Sequence, residues 1–250
     1  MKVDAWNIAA GRIDSLENIA SAIKVLDADI IALSEVDKNT RRSGKVYQLS
    51  ELKKLTVMYG IFVKSINFES GEYSIAVLSR YPISKKMLPL PSPKFEQSVI
   101  LATEIHRPGF NSPIIFIANH MDWHEDPTVR MMQLHAMNDF AIGNTESKFP
   151  HIESSIKILA DDSNDVPGSA IMNSFQRYWN NPLPESTDSR SWPAINPAVD
   201  LDHILTFKGQ RWQTKKIYLP VDQQPQLQTI NWPQVSDHLP LLMQLKLLEQ

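Results

Sequence analysis

Cysteine is absent from the 250 residues. Its absence excludes disulfides, thiolate metal ligands and a cysteine nucleophile, and it leaves the redox compartment open. An excess of charge of one sign is lacking too: Lys and Arg number 25 against 28 Asp and Glu, for a formal net charge of -3 and a pI near 6.2. No general basic field therefore marks the chain as a nucleic-acid binder. The opening Met1-Lys2-Val3-Asp4-Ala5-Trp6 runs straight into a strand-like stretch with no apolar leader core, and no apolar run is long enough to span a bilayer. The expectation is a soluble chain without an integral membrane segment, cytoplasmic unless a leader has been removed. No glycine-rich dinucleotide or phosphate-loop fingerprint follows any candidate strand, and no internal repeat, low-complexity tract or linker interrupts the chain.

What is present is a hydrophobic content of 42%, enough for one substantial core, so residues 1–250 read as a single domain. Val3 to Ile8 and the fully apolar Ile30 to Leu33 read as buried strands. Between them, Asp14 is the expected N-cap of a helix carrying Leu16, Ile19, Ile23 and Leu26 at helical spacing. Helices are expected at Tyr47 to Tyr59, Thr128 to Ala141 and Ser169 to Tyr178. Further strands are expected at Ile61 to Ile66, Tyr73 to Leu78, Val99 to Ile105, Ile114 to Ala118, Ile156 to Ala160, His203 to Phe207, Trp212 to Tyr218 and Leu239 to Leu247. The proline-rich stretches Leu88 to Pro93 and Pro182 to Pro197 read as loops. Runs of consecutive strands with helices between them point to an α/β fold of two packed sheets, rather than to a doubly wound sheet.

Several of these strands end in acid, amide or imidazole groups. Asn7 ends the first and Glu35 the second, Asn119-His120-Met121-Asp122 and Asp161-Asp162-Ser163-Asn164 end two others, and Ser236-Asp237-His238 opens the last. Each group alone has a bland explanation as a turn residue, a solvated strand end or a satisfied histidine. Together they describe a rigid scaffold presenting polar groups on one rim.

In order along the chain, these segments resemble the endonuclease/exonuclease/phosphatase superfamily. Trp6-Asn7-Ile8 is similar to the family's first strand, and Leu33-Ser34-Glu35-Val36-Asp37 to its "LQEVD" motif with Ser for Gln. Ala76 to Ile83 resembles "ILSRYPI", Asn119-His120-Met121-Asp122 resembles "THLD", and Leu201-Asp202-His203-Ile204 resembles "IDYI". Ser236-Asp237-His238-Leu239-Pro240 reproduces "SDHLP", and Glu35 to Gly44 follows the "EVDxxTxRSG" pattern of bacterial members. Ile158 to Asn164 stands where "ILAGDFN" would be, with Asp161 and Ser163 replacing Gly and Phe, and Asn119 replaces Thr before the histidine. The extra carboxylate of Asp161 raises the prospect of a perturbed Asp162 or a second ion. The resemblance implies a four-layer α/β/β/α sandwich of two mixed sheets flanked by helices, and a divalent-metal-dependent hydrolase of phosphoesters.

These residue types suit that chemistry. Glu35 and Asp237, with Asn7, offer hard oxygen ligands for Mg²⁺ or Mn²⁺. The resemblance implies that Asp162 orients and deprotonates the attacking water while Asn164 donates to the phosphate. His120 and His238 can donate to phosphate oxygens or move a proton, with Asp202 fixing the tautomer of His238. Arg41, Tyr73 and Arg80 are candidate substrate contacts, and Asp122 and His124 lie near the same rim. Arg130 and Gln133 read as bracing residues, and His106, His135, His151 and His203 as structural. Trp123, Trp192 and Trp232 sit in candidate loops and could wall a ring or base. The expected partner is a phosphoester, small or single-stranded, with nucleic acid as the alternative substrate and a monomer as the working form. A non-catalytic binding module would be expected to lose one of the acids or histidines, and all are present.

Overall fold

The computed structural model describes residues 1–146, 149–219 and 227–249. The first half comprises β1 (Lys2–Asn7), α1 (Leu16–Leu26), β2 (Ile30–Lys38), α2 (Gln48–Thr56), β3 (Tyr59–Phe68), β4 (Gly71–Ser79), β5 (Ile83–Pro89) and β6 (Val99–Ile105). The second comprises β7 (Ile114–His120), α3 (Thr128–Ala141), β8 (Ile156–Asp162), α4 (Ala170–Phe175), β9 (Trp179–Asn180), β10 (Asp202–Phe207), β11 (Trp212–Tyr218), α5 (Trp232–Val235) and β12 (Leu241–Leu247). The strands form two mixed six-stranded sheets, ordered β11-β12-β1-β2-β4-β3 and β5-β6-β7-β8-β10-β9.

Three apolar layers define the sandwich. Ile19, Ile23 and Leu26 of α1 and Leu49 and Leu52 of α2 pack on the outer face of the first sheet against Trp6 and Leu33. Val3, Ala5, Ile75, Phe116, Ile158, Ile204 and Met243 fill the space between the sheets. Leu134, Met137 and Phe140 of α3, with Ile171 and Phe175 of α4, cover Ile117, Leu159 and Leu205 on the outer face of the second sheet. The result is the α/β/β/α arrangement. The start of α1 differs from expectation by one residue: Ser15 is the N-cap and accepts from Asn18 N at 3.2 Å. Asp14 supports it by accepting from Ser15 N at 2.7 Å and from Asn18 Nδ2 at 2.8 Å. β5 also runs into a stretch expected to be loop. It is an edge strand, exposed over Ser84 to Met87, and Lys85 and Lys86 give it the charge that discourages edge-to-edge pairing while erasing apolar alternation.

The strand period of two decides which groups meet. Ala5, Ala118, Ala160 and Ile204 point into the space between the sheets. Asn7, His120, Asp162 and Asp202 each lie two residues from one of these, so they project into the same space at one end of the sandwich. Asp161 is out of phase. It shares the outward face of Leu159, so the extra carboxylate does not join Asp162. It is buried and accepts from Ser163 Oγ at 2.8 Å. Ser163 thus serves Asp161 where the family pattern has neither residue. Asp4 has a similar fate. It is out of phase with Val3 and Ala5 and fully buried, neither oxygen meets a hydrogen-bond partner among the described residues, and burial pushes its carboxyl well above the ordinary range.

Candidate active site

The second sheet brings three groups into register. β7 runs parallel to β8 with His120 opposite Asp162, and β10 runs antiparallel with Asp202 opposite the same Asp162. His238 enters from the turn before β12, held by Ser236, whose Oγ donates to Asn7 O at 2.7 Å and accepts from His238 N at 3.3 Å. Trp6 Nε1 donates to His238 O at 3.0 Å, tying that turn to the end of β1. His238 Nδ1 lies 2.8 Å from Asp202 Oδ2, so its proton-bearing Nδ1 faces a carboxylate and Nε2 is free to face the site.

Asp162 Oδ2 is the point on which these groups converge. Asn7 Nδ2 donates to it at 3.0 Å, His120 Nε2 lies at 3.6 Å and His238 Nε2 at 3.8 Å. Its other oxygen accepts from the backbone N–H of Asn164 at 3.0 Å. Burial opposes ionisation of Asp162, but the charges of His120 and His238 and the Asn7 and Asn164 hydrogen bonds outweigh it, and the carboxyl is held below its usual range. Asp202 is pushed the other way, chiefly by burial, with His238 opposing. Burial also works against a charge on His238, but Asp202, Asp162 and Asp237 overcome it and raise the imidazole to about 10.

Glu35 reaches the site by a different device. The pairing of β2 with β4 slips between Leu33 and Val36, and Glu35 sits in this bulge with φ of 54°. A bulge re-aims a side chain, and a left-handed backbone at a non-glycine residue costs about 1–3 kcal/mol that the surrounding structure must hold in place. Asn164 is also left-handed, with φ of 49°. The Glu35 carboxylate receives Asn7 Nδ2 at 3.2 Å on one oxygen and Arg12 at 3.3 Å on the other. Asn7 therefore turns its N–H₂ to both Glu35 and Asp162, while its Oδ1 accepts from Ala9 N at 2.9 Å. The opposite orientation would set an amide oxygen against two carboxylates. As arranged, Asn7 spaces the two acids, with its amide nitrogen toward both.

Two sets of donors bear on metal binding. Asp162, Asp202 and His238 have ligand atoms within 4.8 Å of one another. That compactness follows from the hydrogen bond between Asp202 and His238, and a metal bound there would have to displace a proton from the imidazole. Glu35 also suits a hard cation: it is a carboxylate with 20% of its side chain exposed, and its neighbouring cation, Arg12, is half-exposed. Asp237, half-buried beside His238, adds a second carboxylate on this rim. Asn164 offers its side chain elsewhere, with Nδ2 donating to Met121 O at 2.9 Å while its backbone N–H holds Asp162.

The expected substrate contacts fare unevenly. Tyr73 is buried and lines a small cleft with Ser65, Glu96 and His120. Burial, then Glu35 and Glu96, push its hydroxyl far above the normal range, so it stays protonated as a donor. Arg80 is not brought to the cluster. It follows Ser79, which pairs with Ile30 at the start of β2, and it binds Asp27 and approaches Asp29 at the opposite end of the strands from Asn7. Arg41 is exposed, and its backbone N–H donates to Glu69 O. The adjacent Arg42 turns inward, gripping Asp37 through Nε at 2.8 Å and a second nitrogen at 2.9 Å, with its guanidinium 4.4 Å from the Phe68 ring and 5.1 Å from Tyr73. Sequence reasoning passes over Arg42 and Glu96. The "TxRSG" spacing could have favoured Arg42, whereas Glu96 carries no local signal. Arg130 braces the His120 loop by binding Asp165 at 3.0 Å and donating to the carbonyls of Asp122 and His124, and Gln133 receives Asp122 N at 2.9 Å.

The raised His238 imidazole has a consequence for stability. A histidine near 6.5 when unfolded and about 10 when folded means that the native state holds the extra proton between those values. Its stabilisation is complete below about pH 6.5 and is lost as pH rises toward 10, at no more than about 1.4 kcal/mol per pH unit. Lys157, pushed by burial down to about 8, tilts the upper part of that window the other way. The readout is therefore the difference between wild type and His238→Gln in urea unfolding from pH 6 to 10 with chelator present. Wild type is expected to lose stability relative to the variant as pH rises, and parallel curves would remove the charged His238 from the account.

Comparison with known proteins gives a consistent picture. The Endonuclease/Exonuclease/phosphatase family model matches residues 5–238. Among curated proteins none matches in sequence. Among solved structures, the mannosyl-6-phosphatase Bt3783 of Bacteroides thetaiotaomicron VPI-5482 is similar at a TM-score of 0.75 and 15% identity, over 98% of this chain and 99% of that one. An endonuclease/exonuclease/phosphatase from Bacteroides vulgatus is similar at 0.77 and 12%, over 98% of each chain. The human Nocturnin catalytic domain with bound sulfate is similar at 0.68 and 16%, over 99% of this chain and 94% of that one. At these identities the structural likeness speaks for the fold, and the family match over nearly the whole sequence adds the lineage: the chain belongs to the endonuclease/exonuclease/phosphatase family.

Proposed function

We propose that this chain is a divalent-metal-dependent phosphoester hydrolase working by in-line attack of water. The observation that carries the reading is the convergence of Asn7, His120, His238 and the Asn164 N–H on the buried Asp162 carboxylate, with Glu35 one amide away. Members of the family hydrolyse phosphoesters, and the donor set here answers what that reaction needs: a held water, neutralised phosphoryl oxygens and help for the leaving oxygen.

In this reading Glu35 and Asp237 hold Mg²⁺ or Mn²⁺, and Asn7 fixes Glu35 relative to Asp162. The bound ion supplies Lewis acidity toward the phosphoryl and leaving-group oxygens. Asp162 accepts a hydrogen bond from the attacking water and orients it. His120 and His238 donate to the phosphate, and Asp202 keeps the His238 Nε2 proton aimed at it. A phosphate entering beside the two imidazoles draws their donors away from Asp162. Burial, then opposed only by the Asn7 and Asn164 hydrogen bonds, raises that carboxyl toward a useful base. Tyr73, protonated and beside His120, is a further donor to the substrate.

The preferred substrate is small, or a short single strand, rather than long duplex DNA. Tight duplex binding rests on many cations neutralising phosphates, with steep salt dependence. Here Arg12, Arg42, Arg80, Arg107, Arg130, Arg190 and Arg211 each pair with a carboxylate of the same chain. The test is turnover of plasmid DNA, short oligonucleotides and small phosphomonoesters and diesters in Mg²⁺ across a salt titration. Efficient duplex cleavage with a steep salt slope overturns the size preference, and no turnover of any member overturns the hydrolase reading.

A further inference from the structure

Three aromatic rings, the adjacent Trp123 and His124 and the sequence-distant Phe95, stack on the rim beside His120. His124 is the middle ring: Phe95 lies over it at 3.9 Å between centroids and 32° between planes, and Trp123 at 4.3 Å and 20°. The imidazole is fixed from below, its Nδ1 lying 2.8 Å from Asp122 Oδ1 while its backbone N–H donates to Asp122 Oδ2 at 3.2 Å. Asp122 is itself buried, and Arg130 clamps the same loop through the carbonyls of Asp122 and His124. The outer rings are nonetheless left to solvent. Trp123 is 65% exposed and Phe95 42% exposed.

A large indole held flat at that exposure gains little for the fold. A solvated Trp that merely filled space would be free to rotate, whereas this one rests one face on a braced imidazole and offers the other. The stack also stands next to the chemistry. Trp123 follows His120 by three residues, and Phe95 precedes Glu96, which lines the cleft with Tyr73 and His120 and feels the His120 charge. The near-parallel Trp123–His124 pair, about 4 Å apart, extends by adding another flat ring, and base–aromatic stacking tolerates any base because every base has a π face.

Building on the hydrolase reading, we infer that Trp123, His124 and Phe95 form a stacking platform for a planar aromatic ring carried by the phosphoester, such as a nucleobase, and so make this site selective for nucleotide-like substrates over sugar phosphates. The platform is a specificity determinant, and the reacting phosphorus belongs to the groups around Asp162.

The test separates this inference from the one beneath it by measuring binding rather than turnover. Dissociation constants of AMP, ribose 5-phosphate and glucose 6-phosphate are measured by calorimetry in Mg²⁺ on wild type, Trp123→Ala and Phe95→Ala. AMP and ribose 5-phosphate share phosphate and ribose and differ in the base alone. Wild type is expected to bind AMP about tenfold more tightly than either sugar phosphate, the size of one stacked base. Trp123→Ala is expected to erase most of that ratio while leaving ribose 5-phosphate unchanged, and Phe95→Ala to reduce it. Equal binding of all three ligands, no binding of AMP, or a ratio that survives Trp123→Ala overturns the platform. Failure of the hydrolase reading would show instead as absent turnover with the AMP preference intact.

Discussion

Replacing Asp162 with Asn is expected to lower kcat by about a thousandfold, within the range that loss of a positioned acid-base group produces, while the protein stays folded. The carboxylate is the shared partner of Asn7, His120, His238 and the Asn164 N–H. An amide of the same shape can keep the Asn164 contact but not the ionic ones. It can also accept only through one oxygen, so it sets an N–H₂ either against the Asn7 donor or against the Asn164 N–H. Because Asp162 is buried with its charge held ionised by cations, some stability is lost too, and a melting curve must accompany the kinetics. A folded Asp162→Asn protein with kcat within tenfold of wild type would take Asp162 out of the mechanism.

The second large effect is expected from Glu35→Gln, which removes the charged ligand that best suits a hard cation. Mg²⁺ affinity, read by calorimetry on metal-free protein, should fall by at least about tenfold, with kcat recovering only in part at high Mg²⁺. Gln keeps the length of the side chain but has a single acceptor oxygen, so it can meet Asn7 or Arg12 and not both; a loss therefore reports the charge and one hydrogen bond rather than the shape. Should Glu35→Gln bind Mg²⁺ as tightly as wild type while Asp202→Asn does not, the cluster of Asp162, Asp202 and His238 becomes the better metal site.

Much of the sandwich is legible in sequence because burial writes periodicity. Apolar runs such as Ile114 to Ala118 and Ile156 to Ala160 mark central strands, and their polar ends in His120 and Asp162 mark where the site opens. The same alternation separates Asp162 from Asp161, although composition alone suggests two neighbouring acids acting together. What sequence cannot carry is local backbone irregularity and long-range contact. The bulge that aims Glu35 follows from the pairing of β2 with β4 rather than from the residues Ser34 and Glu35 themselves. Arg42 rather than Arg41 turns inward because Asp37, Phe68 and Tyr73 converge on it from different strands. Arg80 sits at the end of a motif-bearing strand, but at the wrong end. Trp232, read as a loop residue, lies in α5 with its ring 6.0 Å from that of Trp6 in the core. Phe95 meets His124 only through the fold.

Hydrolysis of a phosphoester at Asp162 is proposed to depend on a metal held by Glu35 and Asp237. Its most direct test is the initial rate of phosphoester hydrolysis by purified protein, on a short oligonucleotide and on small monoesters and diesters, in EDTA and after adding back Mg²⁺ or Mn²⁺. The account predicts no turnover in EDTA and recovery with either ion in wild type, with little recovery in Asp162→Asn. Undiminished turnover in EDTA would contradict it.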